Sequence, residues 1–416
     1  MSAIPLSIVE LGAQGDGVAE RNGEPVYVPF TAPGDRITAA IDGGRGTMIA
    51  LTEPGASRAT PPCRHFGPDG EAARCGGCAV QHIVPEAYSA WKRGLVVAAL
   101  ESRGIAIEVA PLVACPPGAR RRVVFAARRT GNALSLGFNR AGTHEIVDIS
   151  ECVIASPRIV AALPLLRSLA ASAALGTEPF HFAVLETASG FDIAVDAPFR
   201  LAEADRLRIV QAVRKAAGVA RLSFNGEIIL EKQPPQLTFG TVTVTPPPGS
   251  FTQASAAAEA AMAGLVTAHL DKARRVLDLY SGCGTFALRL AARSAVHAVE
   301  ASGAALAALD RAARRASGIK PVTVEKRDLS RRPLMVSELK TYQGLVFDPP
   351  RAGAEAQSRE IARSAVPRVA AVSCNPATLA RDLRILLDGG YRLVSVTPID
   401  QFLYTPHVEV VALLEK

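Results

Sequence analysis

The run Arg275-Val276-Leu277-Asp278-Leu279-Tyr280, followed at once by Ser281-Gly282-Cys283-Gly284-Thr285-Phe286, restricts what this chain can fold into more than any other feature. The first stretch is apolar enough for a buried strand. The second is a tight turn, because its two glycines admit backbone conformations closed to other residues. Leu288 to Arg293 then opens a helix. A strand, a glycine turn and a helix in that order begin an open parallel α/β sheet, in which a ligand lies close against the turn. The pattern continues with a second strand, Val296 to Val299, ending in Glu300, and a third from Val322 ending in Asp328. A fourth, Leu345-Val346-Phe347-Asp348-Pro349-Pro350-Arg351, ends at the same edge. Acids at the carboxyl ends of such strands face the ligand crevice, so Glu300 is placed to accept two ribose hydroxyls of an adenosyl group and Asp328 to bond its adenine amino group. No lysine follows the glycines in the pattern that holds a triphosphate, which argues against a nucleoside triphosphate as ligand.

Upstream, Pro246-Pro247-Pro248-Gly249 is the sharpest break, since consecutive prolines extend neither a helix nor a central strand. The last domain is therefore placed at 246–416, with an Ala-rich helical run from Ala254 to Ala263. Ile8 to Ile41 alternates apolar and polar positions between turns such as Gln14-Gly15-Asp16-Gly17 and Pro33-Gly34, which predicts a small antiparallel barrel within 1–55. Between these, 56–245 reads as a mixed α/β module. It has a helix from Gln81 to Gly104 whose Trp91, Leu95, Val96 and Leu100 share a face, and strands around Arg122 to Ile149 and Phe180 to Asp196. The expected whole is a multidomain α/β protein: an OB-like barrel, a central module and a Rossmann-like domain.

The formal charge of +7 favours a polyanionic partner. More telling is the segment from Pro117 to Arg140, which carries Arg120, Arg121, Arg122, Arg128, Arg129 and Arg140 and no acid. It predicts a phosphate-facing strand pair, with RNA as the expected partner. No stretch reaches the roughly 18 to 20 apolar residues of a membrane span, and the N-terminus lacks a basic start followed by an apolar run. The expectation is a cytoplasmic protein with no membrane partner, and a monomer is assumed.

The strand succession from Arg275 resembles the class I methyltransferase fold, which implies S-adenosylmethionine as cofactor. Val26-Tyr27-Val28-Pro29-Phe30 with Ala32-Pro33-Gly34-Asp35 resembles the TRAM domain, an OB-like RNA-binding barrel. Two further elements stand out near the C-terminus. Cys374, in Val372-Ser373-Cys374-Asn375-Pro376, follows a short apolar strand from Val369 and so reaches the carboxyl edge of the sheet, although a lone cysteine is more commonly a small core residue. Glu409, in His407-Val408-Glu409, is a carboxylate within an apolar strand, where burial would raise its pKa and make it a better base. Asp278-Leu279-Tyr280-x-Gly-x-Gly, Asp348-Pro349-Pro350-Arg351, Ser373-Cys374-Asn375-Pro376 and His407-Val408-Glu409, in this order, resemble the signatures of the RNA uracil-5-methyltransferase family across the whole last domain. The resemblance implies that Cys374 is the nucleophile that adds to C6 of a uridine and Glu409 the acceptor of the C5 proton. It also implies that Gln253, in Phe251-Thr252-Gln253, binds cofactor or substrate, and that Tyr280, Thr285, Glu300, Asp328 and Asp348 bind the methyl donor. The sequence departs from the family at Thr285 and Ser255, where the family favours Asn.

Seven cysteines without an export signal shift the expectation from disulfides towards metal or catalytic roles. Cys63, Cys75, Cys78 and Cys152 supply four thiols, and Cys75-Gly76-Gly77-Cys78 taken alone fits zinc, a redox pair or a cluster. With Gln81-His82 behind it, the element resembles the ribosomal-RNA branch of the family. That implies a [4Fe–4S] cluster on the four cysteines and 23S ribosomal RNA as substrate, with transfer RNA the alternative. Pro68 to Arg74 reads as an insertion that parts Cys63 from Cys75, and Cys115 and Cys283 read as structural. Two other readings compete. A methyltransferase acting on an adenine or guanine amino group would carry an aromatic residue after Asp-Pro-Pro, where Arg351 stands. A non-catalytic RNA-binding or RNA-folding protein would keep the barrel and the arginines and bind no methyl donor. A radical enzyme is disfavoured, because no compact Cys-x-x-x-Cys-x-x-Cys triplet is present.

Overall fold

The computed structural model describes residues 3–68, 75–131, 133–172 and 178–416; most of the insertion read at Pro68 to Arg74 thus lies outside the described residues. Six strands between Ile4 and Glu53 form the first sheet. The segment 4–11 serves both of its edges, pairing antiparallel with 36–39 through its first half and with 17–18 through its second. The sheet therefore curls back on itself as a barrel-like layer around Leu6, Ile8, Val26, Val28 and Ile37, as the alternating pattern predicts. Buried Asp35 pins the Pro33-Gly34 turn by accepting from the backbone N–H of Ala32 and Gly55 and from Arg58.

The middle of the chain is a seven-stranded sheet whose strands, named by first residue, run in the order 227, 219, 190, 180, 122, 133, 146. Helices Leu163–Ser172 and Glu203–Lys215 cover one face, where Phe125, Phe180, Phe182, Ile193 and Leu222 are buried. The last sheet runs 322, 295, 275, 344, 368, 409, 392. Its first five strands are parallel, and Glu409–Glu415 enters antiparallel between the fifth strand and the last. With helices on both faces, its central strands are buried over 276–279 and 344–347, so they read as largely apolar runs.

The structure departs from the sequence reading in several places. The strand expected to end at Asp328 stops at Lys326, and the helix after the glycine turn is only Ala287–Leu290. The Ala-rich helix runs Ala256–His269, capped by the Ser255 hydroxyl, which accepts from the Ala258 N–H. Helix Pro85–Glu101 buries Tyr88, Lys92, Val96 and Leu100, an i, i+4 stripe with a lysine in it. That helix packs away from the middle sheet: Val96, Leu100, Ile105 and Val109 enter the core of the last domain. Val109 and Val113 then pair with Val396 and Ile399 along the edge strand of its sheet. Among the described residues no helix is long and apolar enough to cross a membrane.

Candidate active site

The strand Arg368–Ser373 delivers Cys374 to the carboxyl edge of the last sheet, and Asn375 caps the helix that follows by accepting from the Ala377 N–H. The same Asn375 donates from Nδ2 to the Arg351 carbonyl at 3.1 Å, and the Thr378 hydroxyl donates to that carbonyl at 3.2 Å. The Asp-Pro-Pro-Arg loop is thereby held beside Cys374, with the positive charge of Arg351 near the thiol. Burial, then the charges of Glu409 and Asp348, push the Cys374 thiol pKa up, while Arg351 opposes them.

Glu409 opens the antiparallel strand beside Cys374 and is buried. Its Oε1 accepts from Gln401 Nε2 at 3.0 Å, and its Oε2 has no partner among the described residues. Gln401 Nε2 also donates to Gln253 Oε1 at 2.7 Å, and Gln253 Nε2 donates to Asp348 Oδ2 at 2.9 Å. Asp348, Gln253, Gln401 and Glu409 thus form one hydrogen-bonded chain behind the thiol. Burial, then the Asp348 charge, pushes Glu409 up to about 8 against the bond from Gln401. Burial also pushes Asp348 up to about 7, with the Gln253 bond opposing. Two carboxyls poised in this range, one with a free oxygen, suit proton transfer near neutral pH.

The loop Asp400–His407 that leads into Glu409 is fixed from beneath. Buried Lys92 bonds Asp400 at 2.9 Å and also donates to the carbonyls of Phe402 and His407, while the Tyr88 hydroxyl donates to Asp400. An unpaired lysine would be expelled from such a place, and three partners make it tolerable.

At the glycine turn, Tyr280 adopts φ +62°, a left-handed conformation that a non-glycine residue holds only under constraint. Asp278 is fully buried beneath the turn and accepts from the Ala287 N–H at 2.7 Å. The two Glu300 oxygens accept from the N–H groups of Gly282 and Ser302, so the acid ties the second strand to the turn and keeps acceptor capacity for a ligand hydroxyl. Asp328 lies exposed two residues beyond its strand, its carboxylate held by Ser330. Thr285 sits half-buried in the turn with its carbonyl bonded to Arg289. The structure therefore links Asp348, Gln253 and Glu409 through Gln401, places Cys374 beside Glu409, and gathers Tyr280, Thr285 and Glu300 around the turn.

Sequence reasoning missed two participants. Arg351 was visible in the quoted motif but was taken only as the residue standing where an aromatic would be. Gln401 carried no signal, because an amide at a strand end shows neither charge nor periodicity.

The arginine segment divides. Arg121 does not face phosphate: it bonds Glu259 at 2.6 Å, and Glu259, buried, is gripped from the other side by Arg289. Arg140 pairs with Glu145, while Arg128 is exposed. Arg120 stacks over Phe402 and Arg122 over Phe251, beside the site. Arg120 and Arg122 also border a cavity of about 290 Å³ lined by Cys63, Cys75, Cys78 and Cys152. Burial, and then the charges of the other cysteines, push the Cys78 thiol far up, and the same two causes bring Cys75 up to about 11 against a bond from the Gly77 N–H. Among the described residues no three His, Cys, Asp or Glu converge on one point as a single ion would require; the four thiols ring a void instead.

Residues 236–416 match the model of the tRNA (uracil-5-)-methyltransferase family. The whole chain is 53% identical over 416 residues to an uncharacterized RNA methyltransferase of Agrobacterium fabrum, covering all of both chains. It is 32% identical over 437 residues to the 23S rRNA (uracil(1939)-C(5))-methyltransferase of Chromohalobacter salexigens, covering 99% of this chain and 89% of that one. Its fold is similar to that of the Pyrococcus abyssi tRNA (uracil-54, C5)-methyltransferase solved with S-adenosyl-L-homocysteine, with a TM-score of 0.76 at 24% identity and 99% of both chains covered.

Proposed function

The chain belongs to the RNA uracil-5-methyltransferase family, and we propose that it methylates C5 of one uridine in 23S ribosomal RNA through a covalent bond from Cys374 to C6 of that base. The observation that carries this reading is the meeting of a thiol, a guanidinium and two carboxyls of raised pKa at one edge of one sheet. S-adenosylmethionine, when bound, supplies the methyl group as an electrophile on its sulfonium. Glu300 is assigned its ribose hydroxyls and Asp328 its adenine amino group, with Gln253, Tyr280, Thr285 and Asp348 completing its site.

Carbon 5 of uracil is a weak nucleophile until something adds to C6. Cys374 Sγ, as a thiolate beside Arg351, forms that bond, and the electron pair of the 5,6 double bond becomes available at C5. C5 takes the methyl group as the donor's methyl–sulfur bond breaks and S-adenosylhomocysteine departs. Glu409, through its free Oε2, then removes the C5 proton. The electrons left behind rebuild the double bond and expel the Cys374 thiolate, so thiolate and base are both restored once Glu409 yields its proton to water.

The four cysteines around the middle cavity are proposed to hold a [4Fe–4S] cluster. Buried thiols whose ionised forms repel one another become thiolates around a cationic centre, and a cluster, unlike a single ion, fills a void. Methyl transfer needs no electron, so the cluster's work is to fix a segment that touches both neighbours: Gly76 bonds the Asn139 carbonyl, and Ala79 bonds the Tyr404 carbonyl in the loop before Glu409. In this reading 1–55 is a TRAM domain, 56–245 an RNA-binding module and 246–416 the transferase, all acting in the cytoplasm.

Mass-spectrometric mapping of 5-methyluridine in RNA from cells with and without the protein tests the substrate. Loss of one mark from 23S ribosomal RNA is expected, and loss from transfer RNA alone would overturn that assignment. Transcripts containing 5-fluorouridine, incubated with the methyl donor, should trap a denaturation-resistant adduct, and its absence from an active preparation would remove the covalent route.

A further inference from the structure

The cavity that opens onto Cys374 is not built by the last domain alone. It measures about 320 Å³, within the roughly 300 to 1,000 Å³ of small-ligand sites. It is lined by Arg351, Cys374 and His407, by Leu95 and Ala99 of helix Pro85–Glu101, and by Ala13 and Gln14 of the N-terminal barrel.

The barrel turn is held there firmly. Gly12 accepts from Trp91 Nε1 at 3.0 Å, and inside the turn Gly12 N–H donates to Asp16 and Gly15 N–H to Gly12. Gly15 sits at φ +87°, where a Cβ would meet Val80 Cγ1 at 2.7 Å, so only glycine allows this approach. Val80 in turn donates its N–H to the Tyr404 carbonyl, in the loop that carries Gln401 and leads to Glu409. Leu11, Val80, Trp91, Leu403 and Tyr404 share one apolar cluster across this junction. The turn is therefore in register with the chemistry rather than tethered near it.

Resting on the function proposed above, we infer that this turn is the barrel-side wall of the substrate pocket and that Gln14 hydrogen-bonds the RNA nucleotide next to the reacting uridine. A uridine attacked at C6 must leave its stack, which splays the neighbouring nucleotide against whatever forms the lip. The lip offers one exposed amide, Gln14, able both to donate and to accept, and no Asp or Glu lines the cavity to repel the strand.

The test uses the full chain and a ribosomal RNA fragment containing the mapped uridine. Gln14→Ala is expected to raise KM for RNA about 5- to 10-fold, the loss of one hydrogen bond, with kcat and melting temperature unchanged. Making the nucleotides on either side of the target abasic, one at a time, should raise KM in the parent enzyme. At one of these two positions, Gln14→Ala should then add nothing further. An unchanged KM in Gln14→Ala, or simple additivity at both positions, would overturn the inference while leaving the methylation reading intact. A parent chain that methylates no RNA would remove both.

Discussion

Two regions of this molecule gather sulfur, and burial raises the thiol pKa in both, yet their neighbours differ in kind. Beside Cys374 stand one guanidinium and two carboxyls, so the thiol's charge is balanced by groups that can themselves move or titrate. Around Cys75 and Cys78 the neighbours that count are other cysteines, each thiolate making the next harder to form. The first arrangement suits a group that gains and loses a bond in every cycle. The second suits a set that ionises once, around a permanent cationic centre.

Breaking the first arrangement should have the largest effect. Cys374→Ala is expected to lose methylation by several orders of magnitude together with the trapped adduct. Glu409→Gln separates the two: the adduct forms and is methylated, but the C5 proton stays. Turnover should fall roughly 10²- to 10⁴-fold while a denaturation-resistant protein–RNA band accumulates. A variant of unchanged turnover would assign proton removal to another group, with Asp348 next in line, and low turnover with no such band would place the action of Glu409 before methyl transfer.

Disturbing the second arrangement should cost far less chemistry. Cys75→Ser is expected to abolish the visible absorption of an iron–sulfur cluster and to lower the melting temperature. Single-turnover methylation at saturating RNA should stay within an order of magnitude of the parent. If Cys75→Ser were as inactive as Cys374→Ala, the contrast between the two sulfur sites would fail.

How much of this was legible in the sequence follows from the range of each interaction. The strands of the last sheet were readable because they are buried on both faces and announce themselves locally; Cys374 and Asp348 stood out at the ends of such strands and Glu409 as a carboxylate within one, while the roles expected of them came from the family resemblance. Lys92 was not: its helix looked amphipathic around Trp91 and Leu95, and only the partner Asp400, far along the chain, explains a lysine in the buried stripe. Arg121 misled for the same reason, since its partner Glu259 lies on an Ala-rich helix that gave no hint of an ion pair. Val96, Leu100, Ile105 and Val109 stand with the middle module in sequence, whereas in the fold their side chains complete the core of the last domain.

Gln401 offers the finest test, because its effect lies in a pH dependence rather than in a rate. Its donor bond favours the ionised form of Glu409 and so pulls the carboxyl down from where burial and Asp348 would put it. Glu409 accepts a proton only when ionised, so proton removal should quicken as pH climbs through about 8. In Gln401→Met that climb should move to higher pH by roughly one unit, since a bond to a charged group contributes about 1.5 kcal/mol or more. A loss of rate equal at every pH would instead mean that Gln401 only fills space. Stability should follow the same sign. A carboxyl whose folded pKa lies above its ordinary 4.5 contributes stability that is present below that value and lost as pH rises through the folded one. Melting temperature should therefore fall between about pH 5 and 9 in the parent chain and fall less in Glu409→Gln, which has nothing left to ionise there. Equal slopes in the two would mean that Glu409 is already charged at neutral pH and that burial does not hold its carboxyl up.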